Sequence, residues 1–384
     1  MLEEKQQLFE ILKHSLWEDK EQTAGIPALI RKELRAQAVE GLTANMYPNQ
    51  DDLRYLHAAQ FILMDQAQNE AIMQLKNVHI PVVVIKGTAA GMYYPQPQLR
   101  SYGDIDLLVQ PEHYYEAVKV LCTGGWIKNE EIGHYHTAFK KNNQLIELHQ
   151  CPPGLDDVKE GAFIRRFLLS GFSDIQQGTI NQLECSFPML PWQQNGLELI
   201  WHFREHLYNG IGLRHVIDWM MFVHCQLDDQ AFVAYKPVLE QAGLLLMAKT
   251  VTRMCQIYLG LEETITWCED VDKSLCADLM AFILEQGNFG HKRKDDKISK
   301  VLSKYHTPLS FLKGMQRRGL YSWDAVQKHR VLRPFAWLYV VVQGMKTFLS
   351  GSERNKLFEG LTASRNRRVL FDQLYGKKHR FQGK

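Results

Sequence analysis

The chain has 384 residues, of which 45% are hydrophobic and 23% are charged, and its formal net charge at pH 7 is +2. This composition is that of an ordinary globular protein with room for two or three domains, and it argues against a dedicated nucleic-acid binder. The seven cysteines are scattered and include no Cys-x-x-Cys pair. That pattern favours free thiols in a reducing cytoplasm over a disulfide framework.

The sequence contains no segment that predicts a membrane span. The first residues are charged and lack the apolar core of a signal peptide. The most apolar run, residues 335–342, is too short to cross a bilayer as a helix, and we interpret it as a buried helix. Together with the cysteine pattern, these features predict a cytoplasmic protein without a transmembrane segment.

Residues 1–78 carry apolar side chains at the spacing of amphipathic helices. Four aliphatic residues between positions 8 and 16 define the first helical stripe. Pro27 is predicted to begin a second helix, because proline is common at the first position of a helix. A third helix is predicted over 51–76. This part of the chain is therefore predicted to be an N-terminal helical segment.

From about Val78 the apolar pattern changes from helical to strand-like. The predicted elements are a strand over 80–85, a short helix over 88–94, a strand over 104–109, a helix over 111–121, and hairpin strands over 134–140 and 144–150. Pro152-Pro153-Gly154 marks a boundary. An additional strand is predicted around 183–187, and the chain from Pro191 onward is predicted to be mainly helical.

Three acidic residues lie on predicted strands and are flanked by aliphatic residues. Asp104 and Asp106 are two positions apart, so a strand places both side chains on one face. Glu147 sits between Ile146 and Leu148, and pairing of the two strands would bring it to the same face. Carboxylates this close repel each other unless a cation lies between them. Three of them on neighbouring strands can bind two Mg²⁺ ions, as phosphoryl or nucleotidyl transfer requires.

The order of these motifs resembles the polymerase-β nucleotidyltransferase superfamily. The chain has Lys86-Gly87-Thr88, then Asp104-Ile105-Asp106 and then Glu147, where the superfamily has a Gly-Ser turn, an Asp-x-Asp strand and a later acidic strand. The longer match over 85–109 is similar to a bacterial branch of uncharacterised nucleotidyltransferases. A threonine replaces the usual serine, and the spacing to the aspartates suits this branch. The resemblance covers about 79–150 and continues more weakly to about 225.

The resemblance implies transfer of a nucleoside monophosphate from an NTP, such as ATP, with release of pyrophosphate. Asp104 and Asp106 would hold two Mg²⁺ ions, for which Mn²⁺ could substitute. Glu147 would hold the ion on the nucleophile side and could act as the base. The acceptor stays open among a small molecule, a sugar, RNA and a protein.

Phosphate contacts are predicted around the Gly87 turn. Glycine lets the backbone approach phosphate closely, and the backbone amides and the Thr88 hydroxyl can donate to phosphate oxygens. Lys86 and Arg100 are the nearest cations. Each could neutralise triphosphate charge, or could instead form a salt bridge with the aspartates.

A second set of candidate nucleotide- or acceptor-binding residues follows the predicted sheet. The related family often carries a histidine, then Leu-Arg and a downstream aspartate. This chain supplies His206, Arg214 and Asp218 at those places. Arg214 and Asp218 lie four apart and could instead pair with each other on one helix.

Two alternative functions stay open. Residues 202–206 match the His-x-x-Glu-His pattern of inverted zinc proteases, so His202, Glu205 and His206 could serve a zinc hydrolase, although no third ligand is marked. The other alternative is a non-catalytic nucleotide- or partner-binding module on the same fold. Three mutually repelling carboxylates argue against such a module.

The predicted fold is α+β, with a small mixed β-sheet nucleotidyltransferase core flanked by N-terminal helices and a C-terminal helical domain. The division is 1–78 for the helical segment, 79–190 for the core and 191–384 for the C-terminal domain. The nucleotide and the acceptor are expected in the cleft between the core and the C-terminal helices.

Overall fold

The computed structural model describes residues 2–17, 22–129, 136–288, 312–316, 319–320, 323, 325–326, 329–349 and 367–376. The chain divides into two compact units. The first unit consists of Met1–Glu131 and Tyr135–Lys292, and the second consists of Ile132–His134 and Arg293–Lys384.

The first unit contains a series of helices before, between and after its strands. Their bounds are α1 Leu2–Trp17, α2 Ala28–Ala36, α3 Asp51–Lys76, α4 Gly87–Gly91, α5 Tyr114–Thr123, α6 Gly161–Ser170, α7 Trp192–Asn209, α8 Leu213–Gln226, α9 Asp229–Gln241, α10 Leu245–Leu259 and α11 Lys273–Gln286. Short 3₁₀ segments lie at Glu40–Thr43, Pro97–Leu99, Pro111–His113, Leu155–Asp157, Gly171–Asp174 and Asn181–Leu183.

The described strands of the first unit form one mixed sheet of seven strands. Their bounds are β1 Val82–Val84, β2 Ile105–Val109, β3 Ile127–Lys128, β4 His136–Lys141, β5 Gln144–His149, β6 Gln176–Ile180 and β7 Cys185–Met189. The strand order is β3-β4-β5-β2-β1-β7-β6. β2 and β5 are neighbouring parallel strands, whereas β1 and β2 are antiparallel.

The longest helix among the described residues, α3, packs against the apolar face of this sheet. It runs for 26 residues without glycine or proline, and the acidic residues of its first turn and Lys76 in its last turn match the helix dipole. Its buried side chains, together with those of α5, contact Ile105, Leu107 and Ile146 in one core. Each such aliphatic side chain stabilises the fold by about 1.5–3 kcal/mol.

The alternation of side chains along the strands determines which residues point away from this core. Because Ile105 and Leu107 point into the core, Asp106 between them points to the opposite face of the sheet. The same alternation on β5 sends Glu147 and His149 to that opposite face. The sheet thus separates an apolar core from a polar face that carries the candidate site.

The helices α7 and α8 form a hairpin that contributes the remaining site residues. α7 begins directly after Pro191, and the turn between the helices is Gly210-Ile211-Gly212. Gly210 has a φ of 112°, which side-chain-bearing residues rarely adopt. This tight turn brings the C-terminal half of α7 beside the first turns of α8.

The second unit contains the helix α12, Ala336–Leu349, and residues 367–374 are also helical. The sequence predicted a buried helix at 335–342. The helix is present, but Leu338 and Val342 are 41% and 49% exposed, so the expectation of burial was wrong. This helix carries apolar side chains on all of its faces. Because only one face packs inward, apolar side chains on the other faces stay exposed. No helix in the described parts of the chain is long and apolar enough to cross a membrane.

The predicted α+β class with a mixed sheet and C-terminal helices is confirmed. The structure adds β3 and β6, which the sequence did not predict. β3 has only two residues, both exposed, and β6 lies at the sheet edge with mainly polar residues. The predicted start of the hairpin at His134 lies outside the described residues, and β4 is described from His136. The proposed boundaries at 78 and 190 stay predictions.

Candidate active site

Three carboxylates meet on the polar face of the sheet. Asp106 of β2 pairs in register with Glu147 of β5, and Asp104 lies directly before β2. One oxygen from each of the three lies within 4.8 Å of the other two. The structure therefore brings together the three acidic residues that the sequence predicted as metal ligands.

Mutual repulsion shapes the protonation of these carboxylates. The neighbouring Asp106, with burial and Glu147 adding to its effect, raises the pKa of Asp104 to about 6. Burial alone would also raise the pKa of Asp106, but the Lys86 ammonium, 2.8 Å away, and the His149 imidazole hold it well below its usual range. The site thus contains an anionic Asp106 beside a carboxyl whose charge is destabilised.

Lys86 occupies the strained turn between β1 and α4. Its backbone has φ 57° and ψ −142°, a conformation that costs a non-glycine residue about 1–3 kcal/mol. Its side chain is buried against Asp106, whose attraction outweighs burial and raises the pKa of Lys86. Gly87 follows with φ 39°, and a Cβ there would meet no atom within 4 Å. The turn therefore has open space beside its backbone.

Two histidines on β4 and β5 contact the carboxylates. His149 Nε2 lies 2.9 Å from Asp106 Oδ1 and 3.4 Å from Glu147, and His136 Nε2 lies 3.5 Å from Glu147. Burial, the largest effect, opposes ionisation of Glu147, but the hydrogen bond and charge of His149 together with the charge of His136 outweigh it and lower the pKa of Glu147. A lowered pKa makes Glu147 a better cation ligand than a base.

These groups line a cavity of about 230 Å³. Its walls come from the Gly87 turn, β2, the β4–β5 hairpin and the α7–α8 hairpin. The lining residues are Lys86, Gly87, Arg100, Gly103, Asp104, Asp106, His136, Glu147, His149, Pro153, His202, Glu205, His206 and Arg214. Most of the site residues predicted from the sequence thus line this one cavity.

Two nominated residues are engaged outside this space. The Thr88 hydroxyl is fully buried and donates to Gln68 Oε1 at 2.8 Å. Asp218 accepts two hydrogen bonds of 2.7 Å from Arg100 and one of 2.7 Å from the Tyr94 hydroxyl. Asp218 therefore pairs with Arg100.

The hairpin of α7 and α8 brings three histidines together. The ring centroids of His202 and His206 are 4.4 Å apart, and His215 of α8 lies 4.2 Å from His206. The sequence marked the two histidines of α7 but missed His215. Nothing in the local sequence pairs His215 with them, because their proximity arises from the Gly210 turn.

Glu198 is a second residue that the sequence analysis missed. It is 1% exposed, and neither of its carboxylate oxygens has a hydrogen-bond partner within the described part of the chain. Burial raises its pKa to about 7, against attraction from Lys86. Helical spacing could have identified it, because positions 198, 202 and 205 are four and three residues apart and therefore share one face of α7.

The substitution Glu198→Gln is expected to stabilise the protein in a pH-dependent way. An acid whose pKa is raised in the folded state does not lower the free energy of unfolding at a pH below its pKa in the unfolded chain, about 4.5. The loss of stability grows with pH until the pH exceeds the folded-state pKa of about 7. The variant should therefore match the wild type near pH 4.5 and gain about 1–3 kcal/mol at pH 8. Urea unfolding of both proteins at several pH values measures this difference. A gain that is independent of pH would contradict a titrating Glu198.

The fold and the site together define a class of protein. A strand, a strained glycine turn, a short helix, an Asp-x-Asp strand and a paired acidic strand occur in the order expected of a nucleotidyltransferase. A family model described as uncharacterised nucleotidyltransferase matches residues 22–260, which is more than half of the chain. The chain belongs to this family, and it is accordingly a transferase.

Other comparisons add little to this assignment. Curated proteins give no match to the chain. Among solved structures, the solution structure of the antibiotic-resistance factor ANT(2'')-Ia is similar at a TM-score of 0.33 and 13% identity, covering 46% of this chain and 93% of that one. A likeness this weak carries no argument about function.

Proposed function

We propose that this protein transfers a nucleoside monophosphate from an NTP to an acceptor, with release of pyrophosphate and with Mg²⁺ held by Asp104, Asp106 and Glu147. The observation that carries the proposal is the convergence of three carboxylates, whose oxygens lie within 4.8 Å of one another. The raised pKa of Asp104 shows the cost of this arrangement without a cation. Lys86 compensates only part of this negative charge, so a bound cation would further stabilise the three carboxylates.

The donor set fits Mg²⁺ or Mn²⁺. All three residues offer hard carboxylate oxygens, which these ions prefer. A bound ion would supply activation of the acceptor and neutralisation of the triphosphate. Asp104 and Asp106 would bind the ions and orient the triphosphate, and Glu147, already ionised through His149, would complete the coordination.

The rest of the cavity suits the anionic triphosphate. The open space beside Gly87 lets the backbone of the turn approach phosphate oxygens. Lys86, Arg214 and His206 line the same cavity and would bind the nucleotide or the acceptor. We assign Thr88 and Asp218 to positioning, since the first fixes the turn through Gln68 and the second orients Arg100.

A thermal-shift series tests this function. The full-length protein is melted with each of the four common NTPs, with Mg²⁺ and with a chelator, and with the matching nucleoside monophosphate as a control that lacks the triphosphate. We expect at least one NTP to stabilise the protein only when Mg²⁺ is present. At a ligand concentration of one hundred times Kd, the expected stabilisation is about 2.7 kcal/mol.

The outcome tests Mg²⁺-dependent binding of an NTP, and transfer of the labelled phosphate to an acceptor separates the enzyme from a non-catalytic module. The stabilising NTP, labelled in its α-phosphate, then serves to screen sugars, small molecules, RNA and protein as acceptors. If no NTP raises the melting temperature of a protein that melts cooperatively, the proposal is wrong. Stabilisation that is the same with chelator would show nucleotide binding without the proposed metal site.

A further inference from the structure

A second cluster of metal-ligating side chains lies on the α7–α8 hairpin. His202 and His206 are one turn apart on α7, and His215 is near the start of α8. One ring nitrogen from each lies within 4.8 Å of the others. The distances between ring centroids are 4.2–5.1 Å. Three imidazoles at this distance are the same ligand set as that of a His₃ metal site.

Backbone carbonyls orient two of these rings. His206 Nδ1 lies 3.2 Å from the carbonyl oxygen of Gly210, and His215 Nδ1 lies 3.4 Å from that of Gly212. Since a carbonyl only accepts, each Nδ1–H donates and each Nε2 keeps its lone pair. Metal-binding histidines commonly show this arrangement, in which the second ring nitrogen donates to a carbonyl.

Burial also favours the neutral form of the three rings, which is the form that binds a metal. Burial lowers the pKa of His206 to about 4 and lowers the pKa values of His202 and His215 well below their usual range. Neutral imidazoles bind metal without first releasing a proton. The cluster therefore offers nitrogen lone pairs at neutral pH.

We infer that His202, His206 and His215 bind one zinc-class divalent ion whose open coordination position faces the cavity. His202 and His206 line that cavity, so an ion held by them would be exposed to its contents. Three protein ligands with an open position are the arrangement of zinc sites that bind water or a substrate oxygen. Imidazoles favour zinc, whereas the carboxylates favour magnesium, so the two clusters select different metals.

This site differs from that of the zinc hydrolase considered from the sequence. The hydrolase pattern uses the glutamate as a general base, but Glu205 forms an ion pair with the adjacent Arg204. The ion would instead present a Lewis acid to an oxygen of the acceptor or nucleotide. His206 would then contact a ligand in the cavity through the bound ion.

Zinc content of the full-length protein tests the inference. The chelator-stripped protein is dialysed against Zn²⁺ with excess millimolar Mg²⁺ present as a competitor for the carboxylate site, and its metal is measured by elemental analysis. Co²⁺ serves as a spectroscopic probe of nitrogen ligation. We expect one zinc per chain in the wild type, and more than tenfold weaker binding in His202→Ala and in His215→Phe, which keeps the buried volume filled.

Two matched variants show where the zinc is bound. His224 is on the same helix as His215 but is exposed and pairs with Glu262, so His224→Ala should keep the zinc. His136→Ala should also keep it, although His136 belongs to another metal-compatible group with Glu147 and His149. The inference is overturned if the wild type binds no zinc, or if the zinc is lost in His136→Ala and retained in His202→Ala.

Discussion

Asparagine in place of Asp104 is expected to slow nucleotide transfer strongly and, at the same time, to make the metal-free protein more stable. The variant removes a ligand of the proposed Mg²⁺ site, and loss of one preorganised electrostatic contact typically costs roughly 10²–10³-fold in rate. It also removes the charge that Asp106 and Glu147 repel. Because the folded-state pKa is raised from 3.8 to about 6, the gain should be about 1–3 kcal/mol above pH 6.

The opposite signs of these two effects make the experiment specific. An acid with a raised pKa destabilises the fold only above its unfolded pKa, so the stability gain should disappear as the pH falls to about 4. Urea unfolding at pH 4 and pH 7.5, without metal, measures it. Asp174→Asn is the matched control, since Asp174 is exposed in the same unit and should change neither property. Retained Mg²⁺-dependent nucleotide stabilisation in Asp104→Asn would remove this residue from the site.

The neighbouring Asp106 should behave differently. It is buried between Lys86 and His149, so Asp106→Asn leaves the Lys86 ammonium without its counter-ion. Loss of one partner from a buried pair is strongly destabilising. A loss of activity in that variant would therefore combine loss of ligation with loss of fold, which makes Asp104 the better position for the test.

The part of the site that follows from strand alternation could be predicted from the sequence. Aliphatic residues on both sides of Asp106 and of Glu147 fix which face each carboxylate takes. The parallel pairing of β2 with β5 then places them side by side, in the register that the structure shows. The alternation of residues along the sequence has the same two-residue period as a strand, so the sequence predicts which face of the sheet each carboxylate takes.

The partners of the charged side chains could not be predicted in the same way. Thr88 follows the glycine turn as a phosphate-binding residue would, but its hydroxyl reaches Gln68 on α3, twenty positions earlier. His215 joins the α7 histidines only through the turn between helices. Such contacts depend on how elements pack, and neither spacing nor residue type along the chain encodes them.

The ion pair between Arg100 and Asp218 gives the clearest case, and it leads to the second large prediction. Arg100 precedes β2 and Asp218 lies on α8, so the pair joins the sheet to the helical hairpin across 118 positions of sequence. Both residues are at most 4% exposed. The carboxylate outweighs burial and raises the pKa of Arg100. A buried guanidinium that loses this partner keeps its desolvation cost and has no compensating charge.

Asp218→Ala is therefore expected to lower the free energy of unfolding by about 3–5 kcal/mol. The pair of Lys249 with the exposed Asp270 provides the matched control, and Asp270→Ala should cost only about 0–1 kcal/mol because its carboxylate lies in solvent. In the double variant Arg100→Met/Asp218→Leu, both buried charges are gone, so most of the stability should return because apolar side chains can replace a buried pair. Urea unfolding of the four proteins measures these differences. A cost below about 1 kcal/mol for Asp218→Ala would show that Arg100 finds water or another acceptor, and that the pair does not hold α8 to the sheet.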